Sequence, residues 1–194
     1  MADASQRHLR DHALAAADGR RLYTAGDAIL KGVLESEIPI ARLVAPPRPP
    51  FASMLRRAAQ EAVAALLERH ACEVLSVVDA SRAVTLAARV SAGGRAAVVP
   101  IANDQLFYAM PAVQAIPSRD GGAGGLVLIC EDNPELAPAA PPRVLLAAAG
   151  LPCLEPHDLE SLRDAVETAV RASRVVGRPA AIVADVALLR SLDT

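Results

Sequence analysis

The chain has 194 residues, 53% of them hydrophobic but only 2% aromatic, with no Trp and a formal net charge of −2. Such a core must be built from Ala, Val, Leu and Ile in thin, closely approaching layers. The charge balance argues against nucleic acid or an acidic membrane as a partner. No apolar stretch reaches transmembrane length, and His8, Arg10, Asp11 and His12 interrupt any signal-peptide-like region, so the expectation is a soluble cytoplasmic protein.

Residues 1–20 are polar and Ala-rich without clear periodicity and are set apart as an N-terminal extension; 21–194 form one α/β domain. Arg21 to Asp27 suggests a short strand and a turn, after which Asp27 or the preceding glycine caps a helix carrying Ile29, Leu30, Val33 and Leu34. A strand is expected over Ile38 to Val44. A stiff, polyproline-like crossing follows at Ala45-Pro46-Pro47-Arg48-Pro49-Pro50, either a plain linker or the lining of a site. Met54, Leu55, Ala58, Ala62 and Leu66 place one helix over Phe51 to Arg69. Val74 to Val78 reads as a buried strand ending at Asp79-Ala80-Ser81. A small-residue helix from Arg82 to Ala92 then stops at Gly93-Gly94.

Ala96 to Ile101 is the next strand, opening into Asn103-Asp104-Gln105 and a weaker helix with Leu106, Met110 and Val113. Beyond the glycine-rich stretch at 118–125, Leu126 to Cys130 is an unalternating apolar run, as expected of a strand covered on both faces. It ends in a turn at Glu131-Asp132-Asn133-Pro134. A helix over Arg143 to Ala149, a Gly150 stop and a strand over Leu151 to Leu154 come next. The last helix is the best signalled: Asp158 caps it, Leu162, Val166, Ala169 and Val170 form its stripe, and Gly177 ends it before Pro179. Ala180 to Val186 closes the series. This alternation predicts an open parallel sheet with helices on both faces.

Several chemical signatures are missing: a GxGxxG after a strand, a Walker A loop and a GxSxG elbow. Cys72, Cys130 and Cys153 are widely spaced and read as buried reduced thiols. His8, His12, His70 and His157 do not cluster with them, so no metal site is expected in the chain. Polar clusters remain at the strand ends: Asp27, Asp79, Asn103-Asp104-Gln105 and Glu131-Asp132-Asn133. A parallel sheet would bring them to one crevice at its carboxyl edge. The competing reading is that they cap the helices that follow.

Two stretches resemble a known family. Gly125 to Asn133, followed by Ala149-Gly150-Leu151-Pro152-Cys153-Leu154-Glu155-Pro156-His157-Asp158, look like the pyrimidine-binding domain of thiamine diphosphate-dependent 2-oxoacid:ferredoxin oxidoreductases. The nearest type is the alpha subunit of indolepyruvate ferredoxin oxidoreductase. Gly26-Asp27-Ala28-Ile29 through Lys31-Gly32-Val33-Leu34-Glu35 resembles the opening of that domain. The resemblance runs from about Arg21 to about Val186.

It implies a domain that grips thiamine diphosphate together with a pyrophosphate-binding partner, which supplies the magnesium site. In that family a strand-end glutamate bonds the aminopyrimidine ring. Here that position falls at Val78-Asp79-Ala80-Ser81, where no Glu stands. One register places Ala80 there, the other Asp79, a possible but shorter replacement acid. Asp79, Ala80, Asn103, Asp104, Gln105, Asp132 and Asn133 are the implied cofactor-binding positions. The family's polar loops at 45–50 and 135–142 have become proline-rich.

Two main functional readings follow. In the first, the chain is a half-enzyme of 2-oxoacid oxidoreductase or decarboxylase type, inactive alone and with a diverged acid. In the second, it is a non-catalytic dimerisation or interaction module without cofactor, a pseudoenzyme on the same fold. A third is an α/β domain holding some other small ligand at the sheet edge. A homodimer, or a heterodimer with the pyrophosphate-binding subunit, is expected. The small residues Ala83, Ala87, Ala88 and Ser91 are the anticipated helix contact.

Overall fold

The computed structural model describes residues 23–118, 124–135 and 141–193. The extension at 1–20 lies outside them, as does part of the glycine-rich stretch at 118–125 and of the proline-rich stretch at 135–142.

A short strand β1 (Tyr23–Thr24) leads into helix α1 (Ala25–Glu35), then β2 (Ile40–Ala45), α2 (Ala52–Ala58), α3 (Glu61–Arg69) and β3 (Glu73–Ser76). After these come α4 (Ala80–Ala92), β4 (Ala96–Ile101), α5 (Asn103–Gln114), β5 (Leu126–Asp132) and α6 (Pro142–Ala148). The chain finishes with β6 (Cys153–Leu154), α7 (Leu159–Val176), β7 (Ala180–Asp185), α8 (Val186–Arg190) and β8 (Leu192–Asp193). Six strands form one sheet in the order β3-β2-β4-β5-β7-β6, every neighbouring pair parallel; β1 and β8 pair antiparallel in a small separate ribbon. The expected α/β architecture is the observed one.

Two-residue alternation within the strands divides the core in two. Val127 and Ile129 of β5 face a cluster built with α1, α2, α3 and α7. Leu126, Leu128 and Cys130 face the other, built with α4, α5 and α6. The unalternating apolar run over β5 is explained by this: both faces of the strand are covered.

The anticipated caps at both ends of α7 are present. Asp158 Oδ1 accepts the Ser161 N–H at 2.6 Å in a capping box, and Gly177 takes the left-handed conformation at φ 68°. At α1 the cap differs. Thr24 is the N-cap and Asp27 sits three residues on, returning the bond in a second capping box. Asp27 also accepts from Arg57 Nε at 3.0 Å, tying α1 to α2.

Other departures have local causes. The helix foreseen over Phe51 to Arg69 is two helices, because the extended backbone at Gln60 (ψ 137°) breaks it. The break shifts the apolar phase: Met54 and Ala58 are buried before it, and Val63, Leu66 and Leu67, not Ala62, after it. β3 is a short edge strand, not a buried one; it pairs with β2 alone, and Val78 beyond it is 81% exposed. The Pro46–Pro50 crossing bends, since the Arg48 N–H donates back to Pro46 O at 2.8 Å. On α4, Ala83 and Ala87 are fully buried in this chain's own core, and the Ser91 hydroxyl donates to Gly124 O. Those three small residues therefore serve packing within the chain.

Candidate functional site

Along the carboxyl edge of the sheet the chain changes direction. From β2 it steps outward to β3, then returns to β4 on the other side of β2. β2 leads to α2 on one face and its neighbour β4 to α5 on the other. A crevice opens where adjacent strands send their chains apart, and open α/β sheets hold ligands there.

A solvent-open cleft of about 620 Å³ lies at this edge. Thr24 and Gly26 at the start of α1, Arg48, Pro49 and Pro50 after β2, and Ser53 on α2 line it. Asp104 on α5, Leu189 and Arg190 on α8, and Ser191 complete its walls, and Glu131 reaches it from the end of β5. Its polar lining carries both signs: Arg48 and Arg190 against Asp104 and Glu131. Arg48 Nη1 and Asp104 Oδ2 meet at 3.4 Å, both about half exposed, so this pair is a weak bridge that a ligand can open.

Glu131 is the unusual member, a carboxylate with only 3% of its surface exposed. Burying it is tolerable only because both oxygens are bonded. Its Oε2 accepts the backbone N–H of Asn103 at 3.0 Å, and its Oε1 accepts Asn133 Nδ2 at 3.3 Å. Asn103 Nδ2 in turn donates to Asn133 O at 2.6 Å, and Asn133 Oδ1 accepts the Glu135 N–H at 3.1 Å. The ends of β4 and β5 are thus joined through one network. The carboxylate also sits at the start of α5, whose N-cap, Ala102, offers no side-chain bond. That is where the helix dipole favours an anion. A carboxylate has about four acceptor positions, so roughly two remain for a ligand.

The implied cofactor positions divide sharply. Asp104 lines the cleft; Asn103 and Asn133, 6% and 1% exposed, hold Glu131 in place behind it. Gln105 is 9% exposed, and its Oε1 has no hydrogen-bond partner among the described residues. Asp132 belongs to the opposite face of β5, where it accepts from Arg143 Nη2 at 2.9 Å; Arg143 also lies 3.8 Å from Glu155. Asp79 and Ala80 stand beyond the edge strand, and neither is among the cleft residues. Asp79 Oδ1 accepts the Arg82 N–H at 2.8 Å as the N-cap of α4, and Ala80 is buried at the first turn. Asp79→Ala should therefore lower stability by about 1 kcal/mol, whereas Asp79→Asn, another good cap, should stay within a few tenths; urea unfolding midpoints distinguish the two.

Glu131 belonged to the acidic cluster named from the sequence, but the choice there fell on Asp132 and Asn133. The turn expected at 131–133 begins too early: β5 continues, with Glu131 and Asp132 paired to Ala184 and Asp185 of β7. Extending the strand's alternation by two residues puts Glu131 on the face of Val127 and Ile129, and Asp132 on the other. Arg190 was missed because α8 was not foreseen. Asp185 caps that short helix, accepting the Ala187 N–H at 2.6 Å, and Leu188 buries against the core.

Burial pushes the Cys72 thiol up to about 12 and Cys130 further the same way. No three His, Cys, Asp or Glu side chains among the described residues are placed to share a metal ion. No helix among them is long and apolar enough to cross a membrane.

No protein-family profile matches the chain, and no curated protein matches it either. Among solved structures it is similar to 2-oxoglutarate:ferredoxin oxidoreductase from Magnetococcus marinus, a structure with 2-oxoglutarate, coenzyme A and succinyl-CoA bound. The TM-score is 0.60 at 15% sequence identity. The two share a fold. The match takes in 87% of this chain and 30% of the oxidoreductase chain, so the other protein is much the longer.

Proposed function

We propose that the chain is the pyrimidine-binding half of a thiamine diphosphate site of 2-oxoacid oxidoreductase type, completed by a second polypeptide. The observation that carries this reading is the mixed-charge cleft at the switch point of a sheet whose fold is that of an oxoacid:ferredoxin oxidoreductase domain. The residues fit one end of the cofactor. A buried, bonded carboxylate beside a cleft suits a nitrogen heterocycle, and no three His, Cys, Asp or Glu side chains among the described residues are placed to share the magnesium ion. The partner is assigned that second end. Bound there, the cofactor would supply the carbon nucleophile that attacks a 2-oxoacid. This chain's part is to bind and orient the ring and to shield it from water.

The surface supports a partner on the same side. Phe107 and Tyr108 are 59% and 75% exposed and meet edge to face at 5.9 Å. They lie three and four residues beyond Asp104 on α5, on the same side of the helix as that cleft residue. Exposed aromatics of this kind anchor interfaces. A chain seated on them would roof the cleft.

The test is native mass spectrometry of the chain purified from its own host. A stoichiometric complex with a second polypeptide is expected, lost on joint replacement of Phe107 and Tyr108 by Glu. A wild-type chain that runs as a lone monomer at micromolar concentration contradicts the reading. One observation favours the non-catalytic module instead: the Asp79 carboxylate, the implied catalytic acid, is already committed to capping α4. In that case the complex forms but takes up no cofactor.

A further inference from the structure

The cleft occupies the carboxyl edge of the sheet; the amino edge carries a second hollow, of about 270 Å³. It lies where α4, α5 and α7 end and β5 and β7 begin. Ala88, Ala92, Ala112, Ala115, Ile116 and Leu126 make its walls apolar. No Asp or Glu lines it, whereas Arg89 and Arg178 both do. Its hydroxyls are committed: Thr85 donates to Ser81 O at 2.9 Å, Ser91 to Gly124 O, and Ser173 to Arg178 O at 2.7 Å. The guanidinium groups are not, since neither has a hydrogen-bond or ion-pair partner among the described residues. Arg95, whose backbone Gly124 packs against, and Arg174, in the last turn of α7, are unpaired there as well. The helix dipoles account for Arg89 and Arg174, each in a last turn. Arg95 and Arg178 lie beyond the caps, where that pull fades.

We propose that this hollow is a second binding site, for a small carboxylate with a short apolar body. A pocket lined by one sign of charge and walled by apolar side chains concentrates ions of the other sign. A guanidinium fork takes a carboxylate through two parallel bonds, and the alanine-rich walls take the body. Phosphate is disfavoured, because three helices present their carbonyl ends here and none its N–H end. The volume is at the lower end for ligand pockets, which limits the occupant to a few carbons. The site does not depend on the half-site reading. Strands of six residues such as β4 set the two edges roughly 20 Å apart, and no residue lines both hollows.

The test is ¹H–¹⁵N NMR of the full chain, titrated at low salt with 3-methylbutanoate, with its uncharged amide and with inorganic phosphate. The carboxylate should give saturable shifts at the backbone amides of Ala88, Ala112, Ile116 and Leu126. The uncharged amide and phosphate should each bind about tenfold more weakly or less. Joint Arg89→Gln and Arg178→Gln, both outside the core, should cost about tenfold in affinity and leave the rest of the spectrum in place. Ala112→Leu, which fills the hollow but keeps both cations, should lose binding too. Phosphate binding as tightly as 3-methylbutanoate would reveal a merely basic surface and overturn the proposal. Shifts centred on the cleft, shifts that never saturate, or full affinity in the double variant overturn it equally. The three probes decide on the wild type alone, so a variant that fails to fold does not shelter the proposal.

Discussion

Ile129→Ala is expected to lower stability by about 2–5 kcal/mol, with a fall in Tm on the order of 10 °C. Ile129 is fully buried in β5, paired to Pro100 of β4 on one side and Ile182 of β7 on the other. Its side chain enters the cluster that α1, α2, α3 and α7 share. About half of that cluster is alanine and valine, side chains too short to reach into the gap. The surroundings can collapse only by moving the backbone, so the result should fall in the upper part of the range. Thermal unfolding followed by far-UV circular dichroism measures it; a loss below about 1 kcal/mol would mean that β5 is not the centre of the core.

Gly32→Ala should destabilise by about 1–3 kcal/mol, against the sign that helix propensity gives. In an exposed helix the same change stabilises by roughly 1 kcal/mol. Here a Cβ on Gly32 would stand 2.5 Å from Arg163 O and 2.9 Å from Val166 Cγ2, both on α7. The obstruction is mainly helix backbone, so α1 must shift away from α7. Thr24 and Gly26, which line the cleft, are carried on the same helix. A weaker hold on ligand should therefore accompany the lower urea midpoint. A neutral or stabilising result would show that the two helices do not meet at this distance.

What could be read from the chain alone, and what could not, follows from how each element is specified. β4, β5 and β7 are covered on both faces, so their apolar runs were plain, and α7 carried caps at both ends. β3 was misjudged because Val74 to Val78 is apolar enough for a central strand, while its edge position depends on the order of strands and not on its own residues. The break at Gln60 carries no Gly or Pro; only the change of apolar phase from Ala58 to Val63 marks it. At the site, the convergence of polar strand ends was legible for Asn103, Asp104 and the acidic cluster after Cys130. Which member of that cluster faces the cleft was set by one fact, that β5 runs two residues further than its apolar stretch. Asp79 admits two readings in the sequence. An acid after a strand is equally suited to cap the next helix, and only the Arg82 N–H at 2.8 Å shows which role its carboxylate takes in the folded chain.

The most direct test of the half-site account is a calorimetric titration of thiamine diphosphate with Mg²⁺ into the chain, alone and then as the complex recovered from its host. The account predicts saturable binding by the complex and little or none by the chain alone, since the described residues offer the ring a carboxylate but place no three His, Cys, Asp or Glu side chains to share a metal ion. A complex that stays intact and binds no cofactor would contradict it, and would leave an interaction module built on the same sheet.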